Sequence, residues 1–170
     1  MTYSVQKFFS KALIGVSATA LLTACATMPS TQSPPIHEVI VTNEMQGAYE
    51  NFHYATAVRA GEFLYLSGVV ASYDADPDDT DQEAAYERAF QSISDTLEKA
   101  GADWSNVTDL ETFHTDLPSQ INAFAQVKDR YIKEPWPTWT AIDIDRLFPP
   151  RGIVEIKIIA YLGAPRELVE

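Results

Sequence analysis

The chain has a single cysteine, Cys25, only three histidines, and half as many basic residues as acidic ones. With 12 Lys+Arg against 24 Asp+Glu, its formal net charge is −12. Such a surface stays solvated and repels nucleic acid and anionic lipid surfaces, and no Lys/Arg cluster offers a phosphate-binding patch. His37, His53 and His114 fall in three separate segments without metal-ligand spacing. A Gly-rich phosphate loop, a nucleophile elbow and an internal repeat are all missing. The acidic stretch Asp74 to Asp81 begins like a calcium loop, but its sixth position is Asp79 instead of Gly and its twelfth is Ala85 instead of Glu. It reads instead as the approach to a helix capped by Thr80 or Asp81, with Glu83 complementing the helix dipole.

What is present is 170 residues, 46% hydrophobic and 21% charged, enough for one domain with a core. Residues 1–24 read as a secretory signal: Lys7 and Lys11, then the apolar run Ala12 to Leu22, too short to span a bilayer. The tetrapeptide LTAC, ending in Cys25, resembles a bacterial lipobox, so Cys25 is the expected lipidation site. A lipidated Cys25 leaves no thiol for a disulfide, a nucleophile or a metal site. Several acyl chains anchor far more firmly than one. Ala26 in place of Asp points, within that class, to the periplasmic side of the outer membrane. Residues 25–35, rich in small residues and proline, form a tether, and the domain is expected over 36–170.

Within the domain, His37 to Thr42 alternates as a strand and Asn43 to Asn51 reads as a loop. His53–Ala60 and Phe63–Gly68 form a hairpin about Gly61, its second strand ending in Ser67-Gly68. Gly68 is where a backbone and a ligand can come close. Apolar residues spaced three and four apart, from Tyr86 to Ala100, predict a helix over 82–100 that Gly101 ends. A strand over 107–115, a helix over 120–133, a strand over 139–145 and a last strand over 153–162 follow, with Pro135 and Pro137 stopping the second helix. The order predicts an α+β domain with a mixed sheet and two helices packed on one face. The other face, rich in aromatic and aliphatic residues, would be covered by oligomerisation.

Four segments resemble the reactive-intermediate deaminase (RidA/YjgF) family: YATAVRAGEFLYLSG, AFQSISDTLEKAGADWSNVTDLETFHTDL, INAFAQVKDRYI and PTWTAIDIDRLFPPRGIVEIKIIA. They run in unbroken order over about residues 36–162. The resemblance implies a chorismate-mutase-like two-layer domain, a homotrimer with small-molecule clefts between subunits, and no cofactor or metal. It also implies hydrolysis of imines or enamines to keto acids and ammonia, as in a 2-iminobutanoate/2-iminopropanoate deaminase. In that family an Arg pairs with the substrate carboxylate and a Glu serves the attacking water.

Carried over residue by residue, Tyr54, Ser67 and Gly68 match substrate-binding positions and Glu155 matches the catalytic Glu. Val69 stands where Gln often follows the Ser-Gly pair. The Arg does not match: Pro137-Thr138-Trp139-Thr140 places Trp139 there. Lys128 falls where the second helix carries Asn. An indole has one N–H donor and no charge, so it cannot replace a guanidinium fork. Lys128 offers a point charge, and Trp139 a flat wall for an aromatic or apolar ligand. Each position also has a plainer reading: Tyr54 as a sheet aromatic, Ser67 as a strand end, Glu155 as one of a solvated strand face with Lys157, Trp139 as packing between subunits. Three functions follow as expectations: hydrolysis of an imine or enamine with an altered substrate range, small-molecule binding by a non-catalytic trimer, or a structural role through anchoring and assembly.

Overall fold

The computed structural model describes residues 37–169 apart from Pro77. The expected signal over 1–24, the expected lipidation site Cys25 and the expected tether over 25–35 lie outside the described residues. The elements are β1 (His37–Ile40), α1 (Gln46–Phe52), β2 (Ala57–Ala60), β3 (Phe63–Leu66), β4 (Val69–Ser72), α2 (Gln82–Lys99), β5 (Val107–His114), α3 (Leu117–Tyr131), β6 (Thr138–Asp143) and β7 (Gly152–Tyr161). Short 3-10 turns precede α1 and β5.

The strands make one open sheet of order β1-β2-β3-β7-β5-β6, with β4 also paired to β7. Only β5 and β6 run parallel, joined by the crossover through α3; the other pairs are antiparallel. β7 is central because its alternation is the longest: Val154, Ile156, Ile158 and Ala160 point into the core, and Glu155 and Lys157 to the other side. α2 starts where Asp81 accepts the Ala84 N–H at 3.0 Å. Its stripe of Tyr86, Phe90, Ile93 and Leu97 is buried, and Gly101 leaves the helix at φ +73°. α3 lies beside it. Phe124 meets Tyr86 edge-on at 5.3 Å and Phe90 at 5.6 Å, while Phe90 stacks on Tyr131 at 5.0 Å. Arg130 joins the two helices through Glu83 and Glu87, each at 2.5 Å, at a largely exposed position where such pairs stabilise little.

One expectation is overturned. The fold is not chorismate-mutase-like: the described residues form an α+β domain with an open, mixed sheet against which helices pack. The architecture is carried by the period-two burial of β5 and β7. Three local readings also change. Asn43 to Asn51 is not a loop but a 3-10 turn and α1, all of whose residues face solvent in part or whole. A polar helix without an apolar stripe gives no periodic signal. The first hairpin strand starts at Ala57, because His53 takes a left-handed φ of 58° that ends α1. The second strand divides at Ser67-Gly68 into β3 and β4.

Candidate functional site

The break at Ser67-Gly68 is the structural event around which the site forms. Tyr65 pairs with Ile159 and Val69 with Ile156, so four steps along this chain are matched to three along β7. The extra residue makes a bulge. Ser67 turns to the segment before β2 for its hydrogen bonds: its N–H donates to the Thr56 carbonyl at 2.9 Å and its hydroxyl to the Ala55 carbonyl at 2.7 Å. Gly68 is needed at the bulge for a steric reason. A Cβ there would stand 1.8 Å from Glu155 Oε1 and 2.7 Å from its Cδ. The Glu155 carboxylate thus occupies the space that a side chain at position 68 would take.

A cavity of about 570 Å³ opens at this bulge. Tyr54, Thr56, Ser67, Gly68, Val69 and Val70 form one wall, and Ala85, Arg88, Ala89 and Ser92 of α2 form another. Ala85 and Ala89 are small where the rest of the α2 stripe is large, which leaves the space open. Tyr54 is 42% exposed, at the rim. Glu155 is half-buried and abuts Gly68 but is not in the cavity wall. Among the described residues it has no salt-bridge or hydrogen-bond partner, unlike Lys157, which lies 3.9 Å from Glu111 on the same face.

Trp139 and Lys128 are elsewhere. Trp139 pairs with Leu110, whose antiparallel partner is Ile158, so its side chain shares the helix-covered face. Glu155 pairs with Phe113, three residues from Leu110, and projects from the opposite face. Within one chain these two candidates are therefore not brought together. The Trp139 indole N–H donates to Thr112 Oγ1 at 3.0 Å, and its ring lies 5.9 Å from Phe124. Lys128 is nearly buried, with Nζ 2.5 Å from Asp129, 5.0 Å from the Trp139 ring and 5.2 Å from Trp136. Its charge is already met by a carboxylate and two aromatic faces. His53 is exposed and outside the cavity wall. Arg151 donates to the carbonyls of Asp74 (2.7 Å), Asp76 (2.9 Å) and Asp79 (2.7 Å), holding the acidic loop closed. That loop is organised by its own backbone: Asp79 accepts from the N–H groups of Asp74 and Asp81, which holds its carboxyl below the usual range. No cluster of three or more His, Cys, Asp or Glu among the described residues could hold a metal ion.

The sequence reading missed Arg88. It sits in α2 between Ala85 and Ala89, a position that helical periodicity marks as solvated and that the fold leaves exposed at the cavity's edge. The cavity exists only because the bulge and α2 come together, and no sequence pattern reports that distance.

Behind Trp139, Thr112 leads to His114, which is fully buried. His114 Nε2 lies 3.0 Å from Thr112 Oγ1 and Nδ1 3.2 Å from Gln120 Oε1. Burial holds the imidazole below its ordinary value of 6.5, against the opposing pull of the Gln120 hydrogen bond and Asp143. The folded state thus resists a proton that the unfolded chain accepts. Stability is whole above pH 6.5 and falls as the pH drops below it. Denaturant midpoints are expected to decline from pH 7 to pH 5 in the wild type and to decline less in His114→Gln. Equal slopes in the two proteins would show that His114 is not the titrating group.

Comparison with known proteins places this geometry. Residues 46–162 match the family model described as Endoribonuclease L-PSP. The chain is 32% identical over 116 residues to the RutC family protein YjgH of Escherichia coli K12, a match covering 67% of this chain and 86% of that protein. A solved structure of protein YjgH superposes with a TM-score of 0.65 at 28% identity, covering 78% of this chain and all of the other. RidA from the Antarctic bacterium Psychrobacter superposes with a TM-score of 0.56 at 30% identity, covering 64% and 87%.

Proposed function

Because the chain belongs to the RidA/YjgF (Endoribonuclease L-PSP) family, we propose that it hydrolyses an imine or enamine of a small metabolite where Glu155 meets Gly68, on the sheet face that an assembly of identical copies would cover. The observation that carries this reading is the Glu155 carboxylate, held against the Gly68 backbone without a salt-bridge or hydrogen-bond partner among the described residues. Glu155 activates the water that adds to the C=N carbon, and the proton it takes is delivered to the departing nitrogen. The Ser67-Gly68 backbone orients the substrate and Tyr54 closes the rim. Trp139 and Lys128, on the other face, reach a ligand only from a neighbouring copy. The proposed assembly is a homotrimer, with a ligand range shifted from the family's by Trp139.

Glu155→Gln keeps the side chain's shape and removes the base. Hydrolysis of oxidase-generated imines by the full chain is expected to fall about 100-fold or more, with the folded state retained. Wild-type protein inert on both aliphatic imines and aromatic enamines would reject the reading. Light scattering tests the assembly: a mass of one chain at micromolar concentration would remove the inter-copy role of Trp139 and Lys128.

A second reading, a non-catalytic small-molecule-binding assembly, is favoured by one observation. Trp136, Trp139 and Lys128 present two indoles and an already neutralised ammonium, which suits capture of an apolar ligand better than pairing with a free carboxylate. RNA cleavage, which the family description names, fits poorly: phosphate backbones are held by clustered cations, and this chain has twice as many acidic as basic residues. We also propose that the domain is lipid-anchored through Cys25 on the periplasmic side of the outer membrane, on the strength of the basic start, apolar run and LTAC motif. Fatty-acid labelling that persists in Cys25→Ala would exclude it.

A further inference from the structure

The geometry points to Arg88 as the residue that anchors a carboxylate in the cavity beside Gly68, supplying from α2 the guanidinium that position 139 does not. Among the described residues it is the sole cation in the cavity wall. Its fork is oriented and mostly unused. One terminal nitrogen, Nη2, donates to the Ser72 carbonyl at 2.9 Å, fixing the group against the end of β4. No other hydrogen bond of the guanidinium and no carboxylate within salt-bridge distance is found among the described residues. A guanidinium has five N–H donors in a rigid plane, and a carboxylate takes two of them side by side.

The surroundings select the ligand's charge and size. Asp74 shares the cavity wall, and Asp79 lies close enough for Arg88 to contribute to its lowered pKa. Both carboxylates are engaged with backbone N–H groups of their own loop, Asp74 with Ala75 and Asp79 with Asp74 and Asp81. They oppose a dianion such as phosphate and tolerate a monoanion paired directly with Arg88. The rest of the lining is chiefly apolar, with Met45, Val69, Val70, Ala85 and Ala89 beside the Tyr54 ring. The class of ligand is therefore a small monocarboxylate with an apolar body.

This assignment rests on the cavity being the ligand site and not on hydrolysis, so equilibrium binding tests it separately. Calorimetric titration of the full chain with 2-oxobutanoate and with its uncharged amide, 2-oxobutanamide, reads the charge contribution directly. The wild type is expected to prefer the carboxylate about 10- to 100-fold. Arg88→Gln is expected to erase that preference while leaving the amide's affinity within about twofold, which also shows that the variant is folded. Arg88→Lys, a point charge without the fork, should keep only part of the preference. Asp74→Asn should strengthen carboxylate binding. A wild type that binds both probes equally, or neither, overturns the assignment, as does an Arg88→Gln variant that keeps the preference. Carboxylate binding lost in Arg88→Gln, in a wild type that turns over no imine, would remove the hydrolytic reading and leave this one standing.

Discussion

Gly68→Ala is expected to disable the candidate site at modest cost to the fold. The added methyl would sit 1.8 Å from Glu155 Oε1, far inside contact distance. The atoms it meets are the far end of a flexible side chain, so Glu155 can swing away and the backbone can stay. The destabilisation should therefore be about 1–2 kcal/mol, within the usual range for overpacking. Imine hydrolysis should fall about 100-fold or more, because the displaced carboxylate no longer meets the water. The double variant Gly68→Ala/Glu155→Ala separates the two effects. If the clash is the cause, it should be no less stable than Glu155→Ala alone, since the group that the methyl strikes is gone. A double variant that loses the sum of the two single losses would show that position 68 is intolerant for a backbone reason unrelated to Glu155.

The largest loss of stability is expected from Phe124→Ala. The ring is fully buried and touches four others: Tyr86 and His114 edge-on at 5.3 Å, Phe90 at 5.6 Å and Trp139 at 5.9 Å. It joins α3 to α2 and to the edge of the sheet at β6. Truncation removes the buried area and leaves a cavity whose walls are rings held by their own contacts and cannot collapse inward. The expected cost is about 3–5 kcal/mol, or a fall in Tm of roughly 10–20 °C. Phe124→Leu should recover more than half of it. Denaturant titration measures both, and a Phe124→Ala loss below about 1 kcal/mol would mean that the cluster reorganises around the gap. Trp139 lies on this ring, so its fluorescence should change in the folded variant as well, linking the core to the position where the resemblance implies an Arg.

The site was legible in the sequence to very different degrees. Ser67-Gly68 and Glu155 could be named from motif alone, and the structure sets them against each other. Lys128 could be named but not judged. Its neighbours Asp129 and Trp136 are close in sequence, yet only α3 packed against β6 shows its ammonium already satisfied between two indoles. The resemblance implies that Trp139 and Glu155 serve a cleft between subunits, and the fold of one chain keeps them apart. The register of β5, β6 and β7 sends them to opposite faces, because neighbouring residues across a sheet share a face and residues three apart do not.

By itself the sequence determined the composition-level facts, the period-3.6 stripe of α2, the period-two burial of β7, a helix cap at Thr80 or Asp81 and the Gly101 stop. All are local: each depends on residues within a turn or two of one another, and backbone geometry reads them directly. It also determined the family, through motifs in unbroken order. Tertiary structure alone decided that Asn43 to Phe52 is largely helical, that the hairpin strand breaks into a bulge, and that the sheet is open and mixed instead of chorismate-mutase-like. It alone set the exposed Arg88 of α2 at the wall of a cavity. These depend on how strands slide past one another and where a helix lands on them. Such long-range distances are set by the packing of the whole core, and no window of sequence contains them.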